Sequence, residues 1–340
     1  MKTTPDINIQ KDRSWEKIIM QYNKPVLRKS VWQIINSFIP FVGLWFILVW
    51  SLQYPYWLTL LLSLPAAGFT IRLFIIFHDC GHQSFFKTKK ANDLVGKIMG
   101  ILTFTPFTPW HNSHRIHHST AGNLDKRGVG DVWTLTVEEY ETASKRVRLY
   151  YRLYRNPWFM FTIGSLYMVL VKNRFTNKRM DREAKRNVYF TNVMILAISA
   201  ILSLFIGLKS YLLIQVPIII FAHSIGIWLF YVQHQFDDVY WDHGQQWDYK
   251  SAAIEGSSFL KLPVVIQWFT GNIGFHHIHH LSPRIPNYNL PSCHYENEFF
   301  SSIEPVTLLS GLKTLNLRLW DNISKRMITF RQLAHMRRVY

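Results

Sequence analysis

Four long stretches of this sequence are apolar and almost free of charge, and they restrict the fold more than any other feature. They cover residues 31–52, 57–77, 188–208 and 210–231, and Arg72 is the only charged residue among them. A helix rises about 1.5 Å per residue, so about 20 apolar residues cross the hydrocarbon core of a bilayer. Each stretch is therefore predicted to be a transmembrane helix.

The short connections between these stretches predict two helical hairpins. Only a few residues join the first pair of stretches, and residues 208–210 join the second pair. Two weaker apolar stretches, 94–107 and 158–171, are too short to span and are expected to lie in the membrane interface or against the polar domain. Pro106 and Pro109 are expected to interrupt the first of them.

The predicted fold is an all-α membrane protein, with four transmembrane helices in two hairpins and a helical domain on the cytoplasmic side. The expected boundaries are an N-terminal segment, 1–30, a main domain, 31–295, and a C-terminal segment, 296–340. The C-terminal segment alternates apolar and basic residues and contains no motif that indicates a role.

The net charge of +17 is distributed in a way that predicts the orientation of the hairpins. Cations precede the first hairpin and fill the segment between the hairpins, whereas Lys209 is the only cation at a hairpin tip. Cytoplasmic loops of membrane proteins are rich in Lys and Arg, so both termini and the middle segment are predicted to be cytoplasmic. Because the basic residues cluster beside apolar spans, we expect no nucleic acid partner.

Two features of the sequence bear on cellular location. The N-terminal 30 residues contain no short apolar core followed by a cleavage site, so no removable signal peptide is expected. The two cysteines, Cys80 and Cys293, form no disulfide framework, and Cys80 is expected to face a reducing compartment.

Three short clusters of histidine lie beside the predicted spans. On a helix, residues three and four positions apart share one face, so each cluster can direct its imidazoles at a single point. All three clusters fall on the predicted cytoplasmic side, which indicates one shared metal site. Their members are His78 and His82; His114, His117 and His118; and His276, His279 and His280.

His234 closes the last apolar stretch and raises the number of candidate ligands to nine. A catalytic site with one metal ion uses about three protein ligands, so nine ligands predict two metal ions. His111 and His277 lie next to candidate ligands and are predicted to hydrogen-bond the ring nitrogens that do not bind metal. His223, inside the last span, is predicted to be a buried structural residue.

The residues favour iron, although imidazole also binds zinc, copper and nickel. Asp79 occupies the position where a zinc protease motif would have glutamate. The clusters contain no Glu-x-x-His pair of the kind that carboxylate-bridged di-iron bundles use. A pair of irons held only by histidine is therefore favoured over the other metals that imidazole binds.

Three segments around these clusters resemble the membrane fatty acid desaturases. WHNSHRIHH at 110–118 is similar to the second histidine box of that family. GNIGFHHIHHL at 271–281, followed by IPNY at 285–288, is similar to the third box, and YVQH at 231–234 matches the additional ligand after the last span.

Within that family, the sequence is most similar to bacterial acyl-lipid (phospholipid) desaturases of the cold-induced type. The segments that carry this closer resemblance are FIIFHDC at 74–80 and NLDKRG at 123–128. The resemblance as a whole covers about residues 30 to 295.

The resemblance implies an O₂-dependent enzyme of a bacterial cytoplasmic membrane that introduces a cis double bond, by this likeness at the delta-5 position, into acyl chains of membrane phospholipids. It implies two Fe²⁺ ions as cofactors and O₂ as co-substrate. The histidines that match the iron ligands of the family are His78, His82, His114, His117, His118, His234, His276, His279 and His280.

One position departs from the pattern of the family. The acyl-CoA branch has an asparagine ligand four residues before the equivalent of His234, and this chain has Phe230 there. Asn272 is a loose substitute candidate.

The electrons for such a reaction are expected to come from another protein. The sequence has no G-x-G-x-x-G dinucleotide motif and no cysteine set for an iron–sulfur cluster. A separate ferredoxin or flavodoxin is therefore predicted as the donor, and the basic surface would attract such an acidic carrier.

Two other functions remain open from the sequence alone. An oxygen-inserting relative, such as a lipid hydroxylase or a carotenoid ketolase, would use the same histidine boxes. A membrane metal transporter or haem carrier is the non-enzymatic alternative, but such proteins place histidines within their spans, where this chain has only His223.

Overall fold

A computed structural model describes residues 14–339 of the chain and contains four helices that are long and apolar enough to cross a membrane. The predicted all-α architecture with four spans is confirmed. Each helix extends a few residues beyond its apolar stretch at the polar end, because polar residues there, such as Arg28 and Gln233, continue the helix. The four helices are α2 (Leu27–Ser51), α3 (Trp57–Gly81), α10 (Arg182–Ile206) and α11 (Leu208–His234).

The second hairpin is tighter than the sequence suggested. Gly207 alone separates α10 from α11, so Lys209 lies in the first turn of α11 rather than in a loop. Gly207 has φ +83° and ψ 143°, a conformation that only glycine adopts without strain. A residue without a side chain therefore allows the chain to reverse within one position.

Helix α3 is the central element of the bundle. Its residues Leu73 and Phe77 are fully buried and pack with Phe41 of α2. On another side, Ile71 packs against Leu229 of α11. Both α3 and α11 carry histidine in the last turn. This packing therefore brings His78 and His234 to the same end of the bundle, the histidine end.

Two helical segments are too short to span, as the sequence predicted. Helix α4 (Lys89–Leu102) ends before Phe104, which has φ 57°, and α5 (Phe107–Thr120) then begins. Pro106 lies in the break as expected, but Pro109 lies in the first turn of α5, where a missing backbone N–H is tolerated.

The second short segment runs from Pro157 to Lys172 and is apolar. It alternates α-helical and π-helical turns while packing along α11. Its parts are α8 (Pro157–Phe159), a π-helix (Met160–Gly164), α9 (Ser165–Tyr167) and a second π-helix (Met168–Lys172).

The remaining elements belong to the part of the protein outside the four spans. The helices are α1 (Ser14–Tyr22), α6 (Val137–Thr142), α7 (Lys145–Tyr154), α12 (Tyr249–Ile254), α13 (Val264–Phe269), α14 (His276–Leu281), α15 (Leu290–Tyr295), α16 (Leu308–Lys313) and α17 (Phe330–Val339). Short 3₁₀ turns cover Asn287–Asn289, Glu298–Phe300 and Thr314–Asn316.

Five short strands accompany these helices within residues 14–339 and were not predicted, because strands of two or three residues leave no alternating pattern in a sequence. They are β1 (Leu135–Thr136), β2 (Phe259–Lys261), β3 (Pro305–Thr307), β4 (Leu319–Asp321) and β5 (Arg326–Ile328). Strand β4 pairs parallel with β1 and antiparallel with β5, and β2 pairs parallel with β3. The C-terminal segment is thus tied to the region that follows the second histidine cluster.

Candidate metal centre

Four elements carry the histidines that the sequence singled out. His78 lies in the last turn of α3, His82 is the residue just after that helix, and His234 is the last residue of α11. The second cluster lies on α5 and the third on α14. Because α5 and α14 each present their histidines at three- and four-residue spacing, the imidazoles project from one face toward the ends of α3 and α11.

The nine candidate ligands converge in two groups. Within each group, one ligand atom from every residue lies within 4.8 Å of the others. The five-histidine group contains His78, His82, His114, His118 and His279. The four-histidine group contains His117, His234, His276 and His280.

The distances between ring nitrogens fit ligands of shared metal ions. The Nε2 atoms of His78 and His114 are 3.1 Å apart, and those of His234 and His276 are 3.0 Å apart. Two imidazole nitrogens that bind one ion at about 2.1 Å and at a right angle are separated by about 3 Å. In addition, Nε2 of His82 and Nε2 of His280 are buried without any hydrogen-bond partner, as expected for lone pairs that a metal ion would use.

Burial also keeps these imidazoles in the form that binds metal. The pKa of each imidazole lies well below the ordinary value of 6.5. The largest cause is removal of the ring from water, and the neighbouring imidazoles lower the pKa further. A neutral imidazole is the ligand form. The residues outside the spans for which this holds are His114, His118, His276, His279 and His280.

Two aspartates orient candidate ligands, and sequence reasoning did not find them. Asp79 Oδ1 lies 3.2 Å from Nδ1 of His78, and Asp131 Oδ1 lies 2.5 Å from Nδ1 of His117. A carboxylate on the outer nitrogen of a ligating histidine fixes the ring and raises its basicity. Asp79 could have been noticed as a neighbour of His78, whereas Asp131 belongs to no motif.

The carboxylate of Asp79 is itself held by a buried amide. Its Oδ2 atom accepts hydrogen bonds from the backbone N–H of Asn287, at 2.7 Å, and from the side-chain amide of the same residue, at 2.8 Å. Asn287 also exchanges two hydrogen bonds with Gln33 of α2. The third cluster region is thereby connected to the first.

The two histidines predicted to hydrogen-bond the ligands, His111 and His277, occupy different positions. The side chain of His277 points away from both histidine groups, because neighbouring residues on a helix do not share a face. Its Nε2 atom lies 3.1 Å from Nδ1 of His294. His111 stacks on Phe107 and contacts the backbone of Gly81, so it bonds no candidate ligand.

Asn272 is connected to the histidine groups only through other residues. Its amide donates to the backbone oxygen of Asn287 at 3.2 Å, and Asn287 in turn contacts Asp79. His223 hydrogen-bonds the backbone of Thr103 and lies in neither histidine group, in keeping with a structural role.

Aromatic rings cover the site. Trp110 stacks on His114, with 4.4 Å between the ring centroids. The ring centroid of Phe230 lies 5.1 Å from that of His117 and 5.3 Å from that of His234. A small pocket reaches the four-histidine group beside Phe230, with Arg127 and Asp131 also in its wall. The four-histidine group thus faces the apolar ring of Phe230.

Comparison with known proteins identifies what this chain resembles. A family model described as fatty acid desaturase matches residues 55–301. A fatty acid desaturase of Bacillus subtilis (strain 168) is 49% identical over 326 residues, which are 96% of this chain and 93% of the relative.

Two cyanobacterial proteins are more distant relatives. An sn-1 oleoyl-lipid 12-desaturase of Synechocystis is 27% identical over 65% of this chain and 63% of its own length. An sn-1 acyl-lipid omega-3 desaturase (ferredoxin) of Nostoc is 29% identical over 64% of this chain and 61% of its own length.

Proposed function

Because this chain belongs to the fatty acid desaturase family, we propose that it uses two iron ions and O₂ to introduce a cis double bond into acyl chains of membrane phospholipids. The resemblance inferred from the histidine boxes is confirmed, and the chain is a membrane enzyme that desaturates fatty acids. The di-iron centre, the phospholipid substrate, the donor and the orientation belong to the proposal.

The observation that supports the proposal most strongly is the convergence of nine histidines in two adjacent groups at the ends of two spans. Five donors in one group and four in the other suit two metal ions better than one. Iron is favoured because activated oxygen is needed: bound iron would supply the oxidant that takes hydrogen from two unactivated methylene carbons.

The residues of the chain would hold and protect this centre. The nine imidazoles would bind the metals through the nitrogens that face one another, while Asp79 and Asp131 keep His78 and His117 in the required ring orientation. Burial of the histidines excludes water, which protects a reactive oxidant from side reactions.

The position of the site suits a substrate that arrives from the bilayer. His78 and His234 end the spans α3 and α11, so an acyl chain could reach the site without passing through water. Such a transfer gains little of the roughly 0.8 kcal/mol per CH₂ that burial from water provides, so the shape of the binding region would select the substrate. The delta-5 position and induction in the cold are proposed on the resemblance alone.

An acidic ferredoxin or flavodoxin is the proposed electron donor. The Nostoc relative is named as a ferredoxin-dependent enzyme, and the net charge of +17 would attract an acidic carrier. The histidine end is proposed to face the cytoplasm, because Lys209 marks the opposite tip and most other cations lie toward the histidines. Lys11 and Arg13, which belong to that pattern, lie outside the described residues.

The proposal is tested by expressing the chain in a host that lacks unsaturated lipids and mapping the products by mass spectrometry. We expect cis double bonds at one position in phospholipid acyl chains. Lipids that carry an added hydroxyl or keto oxygen instead would show an oxygen-inserting enzyme and contradict the proposal.

The His117→Ala variant ties the activity to the histidines. We expect it to insert in the membrane but to lose desaturation, because His117 belongs to the four-histidine group. His243→Ala is the matched control, since His243 is exposed, lies in neither histidine group and pairs with Asp125 on the surface. Full activity of His117→Ala would remove the second cluster from the site.

A further inference from the structure

Helix α7 exposes an apolar strip that the packing of the protein does not cover. Tyr151 on its inner side is fully buried, but Leu149, Tyr150 and Leu153 on the outer side are 58%, 64% and 44% exposed. Leu149 and Leu153 are four residues apart and therefore lie on one face of the helix.

Cations flank this strip, and no carboxylate in residues 14–339 pairs with them. Lys145 and Arg146 are exposed and take part in none of the ion pairs of the described residues. The neighbouring helix α6 is acidic, but its three carboxylates are engaged elsewhere: Glu138 accepts a hydrogen bond from Asn322, Glu139 pairs with Arg127, and Glu141 pairs with Arg337. The outer face of α7 therefore carries uncompensated positive charge beside leucines.

The contacts of Arg155 place the C-terminal end of α7 next to the end of the last span. Arg155 directly follows α7 and donates to the hydroxyl of Tyr231 at 2.9 Å and to Oε1 of Gln235 at 2.8 Å. Those two residues flank His234, where the last span ends. Trp158, 82% exposed, then lies in the first turn of the apolar segment that runs along α11.

We propose that the outer face of α7 is a binding surface for anionic phospholipids of the leaflet at the histidine end. Its leucines would enter the headgroup region while Lys145 and Arg146 contact lipid phosphates, as in amphipathic helices that lie in a membrane plane. A lipid surface fits better than an acidic protein, because the strip continues into the exposed Trp158 and the apolar segment behind it.

The test measures where the side chain at position 153 lies. A Leu153→Cys variant of the full chain is labelled with an environment-sensitive dye and placed in nanodiscs of phosphatidylcholine, with or without phosphatidylglycerol. Both native cysteines are buried, so the label reports one position. We expect phosphatidylglycerol to increase quenching by nitroxide-labelled lipid and to decrease quenching by aqueous iodide.

Two controls make the result specific. An Ile323→Cys label, on a turn where the side chain is 86% exposed, should remain accessible to iodide in both lipids. Arg146→Glu should reduce the effect of phosphatidylglycerol. The ratio of lipid-bound to free α7 face should change about fivefold for each unit of charge. Lys126→Glu, an equal charge change at an exposed loop residue, should leave the effect of phosphatidylglycerol unchanged.

Three results would overturn the proposal. The first is a label at position 153 that iodide reaches as easily as the one at position 323. The second is lipid contact that neither phosphatidylglycerol nor Arg146→Glu alters. The third is protection that appears only after ferredoxin is added, which would assign the surface to an acidic protein.

Discussion

Asp131 is the carboxylate that contacts a candidate ligand of the four-histidine group. Its Oδ1 atom lies 2.5 Å from Nδ1 of His117, while Oδ2 accepts the backbone N–H of Gly128 at 3.0 Å. The loop that follows α5 therefore positions a candidate metal ligand through one side chain.

Replacing Asp131 with asparagine should weaken metal binding while keeping the shape of the side chain. The amide carries no charge, so it makes His117 a less basic ligand, and we expect about 10- to 100-fold lower iron affinity or activity. Iron content and Mössbauer spectra of the purified variant would measure the change.

Asp125→Asn is the control for that experiment. Asp125 lies in the same loop and pairs with His243 on the surface, so the same substitution there should leave the iron content unchanged. Equal iron loss in both variants would point to general damage of the loop instead of a role for Asp131.

Burial of the histidines predicts how the metal-free protein responds to acid. The pKa of each of His114, His118, His276, His279 and His280 is lowered well below 6.5, mainly by burial. Below about pH 6.5 the unfolded chain takes up protons that the folded chain does not, so the free energy of unfolding should decrease as the pH falls.

The same lowered pKa values move the loss of iron to more acidic conditions. The ordinary pKa of imidazole alone predicts that iron is released near pH 6.5, but the folded protein should still hold it there because its histidines remain neutral. Thermal unfolding and iron content measured between about pH 8 and about pH 4 would show both effects. Stability that rises as the pH falls would contradict this account.

At the scale of elements, Gly207 sets the geometry of the second hairpin. It is the single residue between α10 and α11, with φ +83°. Gly207→Ala should lower the free energy of unfolding by about 1–3 kcal/mol, because a β-carbon is strained in that conformation.

Gly43→Ala provides the comparison for Gly207→Ala. Gly43 lies inside α2, and a β-carbon added there meets nothing within 4 Å. This substitution should be neutral or stabilising by up to about 1 kcal/mol, because alanine favours the helix. Unfolding of both variants by heat in detergent would measure the difference, and equal stability would show that the tip relaxes easily.

The elements that could be predicted from the sequence are those whose signal is local. Apolar runs predicted the four spans, and three- and four-residue spacings predicted that α5 and α14 would each present histidines on one face. The supporting contacts were missed because they join distant positions: Asn287 reaches Asp79 across 208 residues, and no pattern near either residue announces the pair.

Considered as a whole, the molecule connects its C-terminal segment to the end of α11 through the buried side chain of Arg155. Arg155 is 0% exposed and donates to Leu317 O, Tyr231 and Gln235, at 2.8 to 2.9 Å. The hydroxyl of Tyr231 also donates to Leu317 O. The segment from residue 296, which had no interpretable motif, is thus part of the frame around His234.

Removing that cation should loosen the frame. Arg155→Met removes the donor to Gln235 Oε1 and leaves Leu317 O with the Tyr231 hydroxyl alone, and an unsatisfied buried group costs about 1–3 kcal/mol. We expect faster proteolysis within residues 296–339 and lower iron content, because His234 loses the contacts that hold its neighbours Tyr231 and Gln235. Limited proteolysis and metal analysis of the same preparation would measure both effects.

Arg152→Met separates this role of Arg155 from the general loss of an arginine. Arg152 is exposed, donates to the hydroxyl of Tyr140 at 2.6 Å and lies 4.6 Å from the ring of Phe330. It touches none of the residues that flank His234, so its loss should loosen α17 locally and leave the iron content unchanged. If Arg155→Met kept both its iron and its resistance to protease, the C-terminal segment would not support the residues around His234.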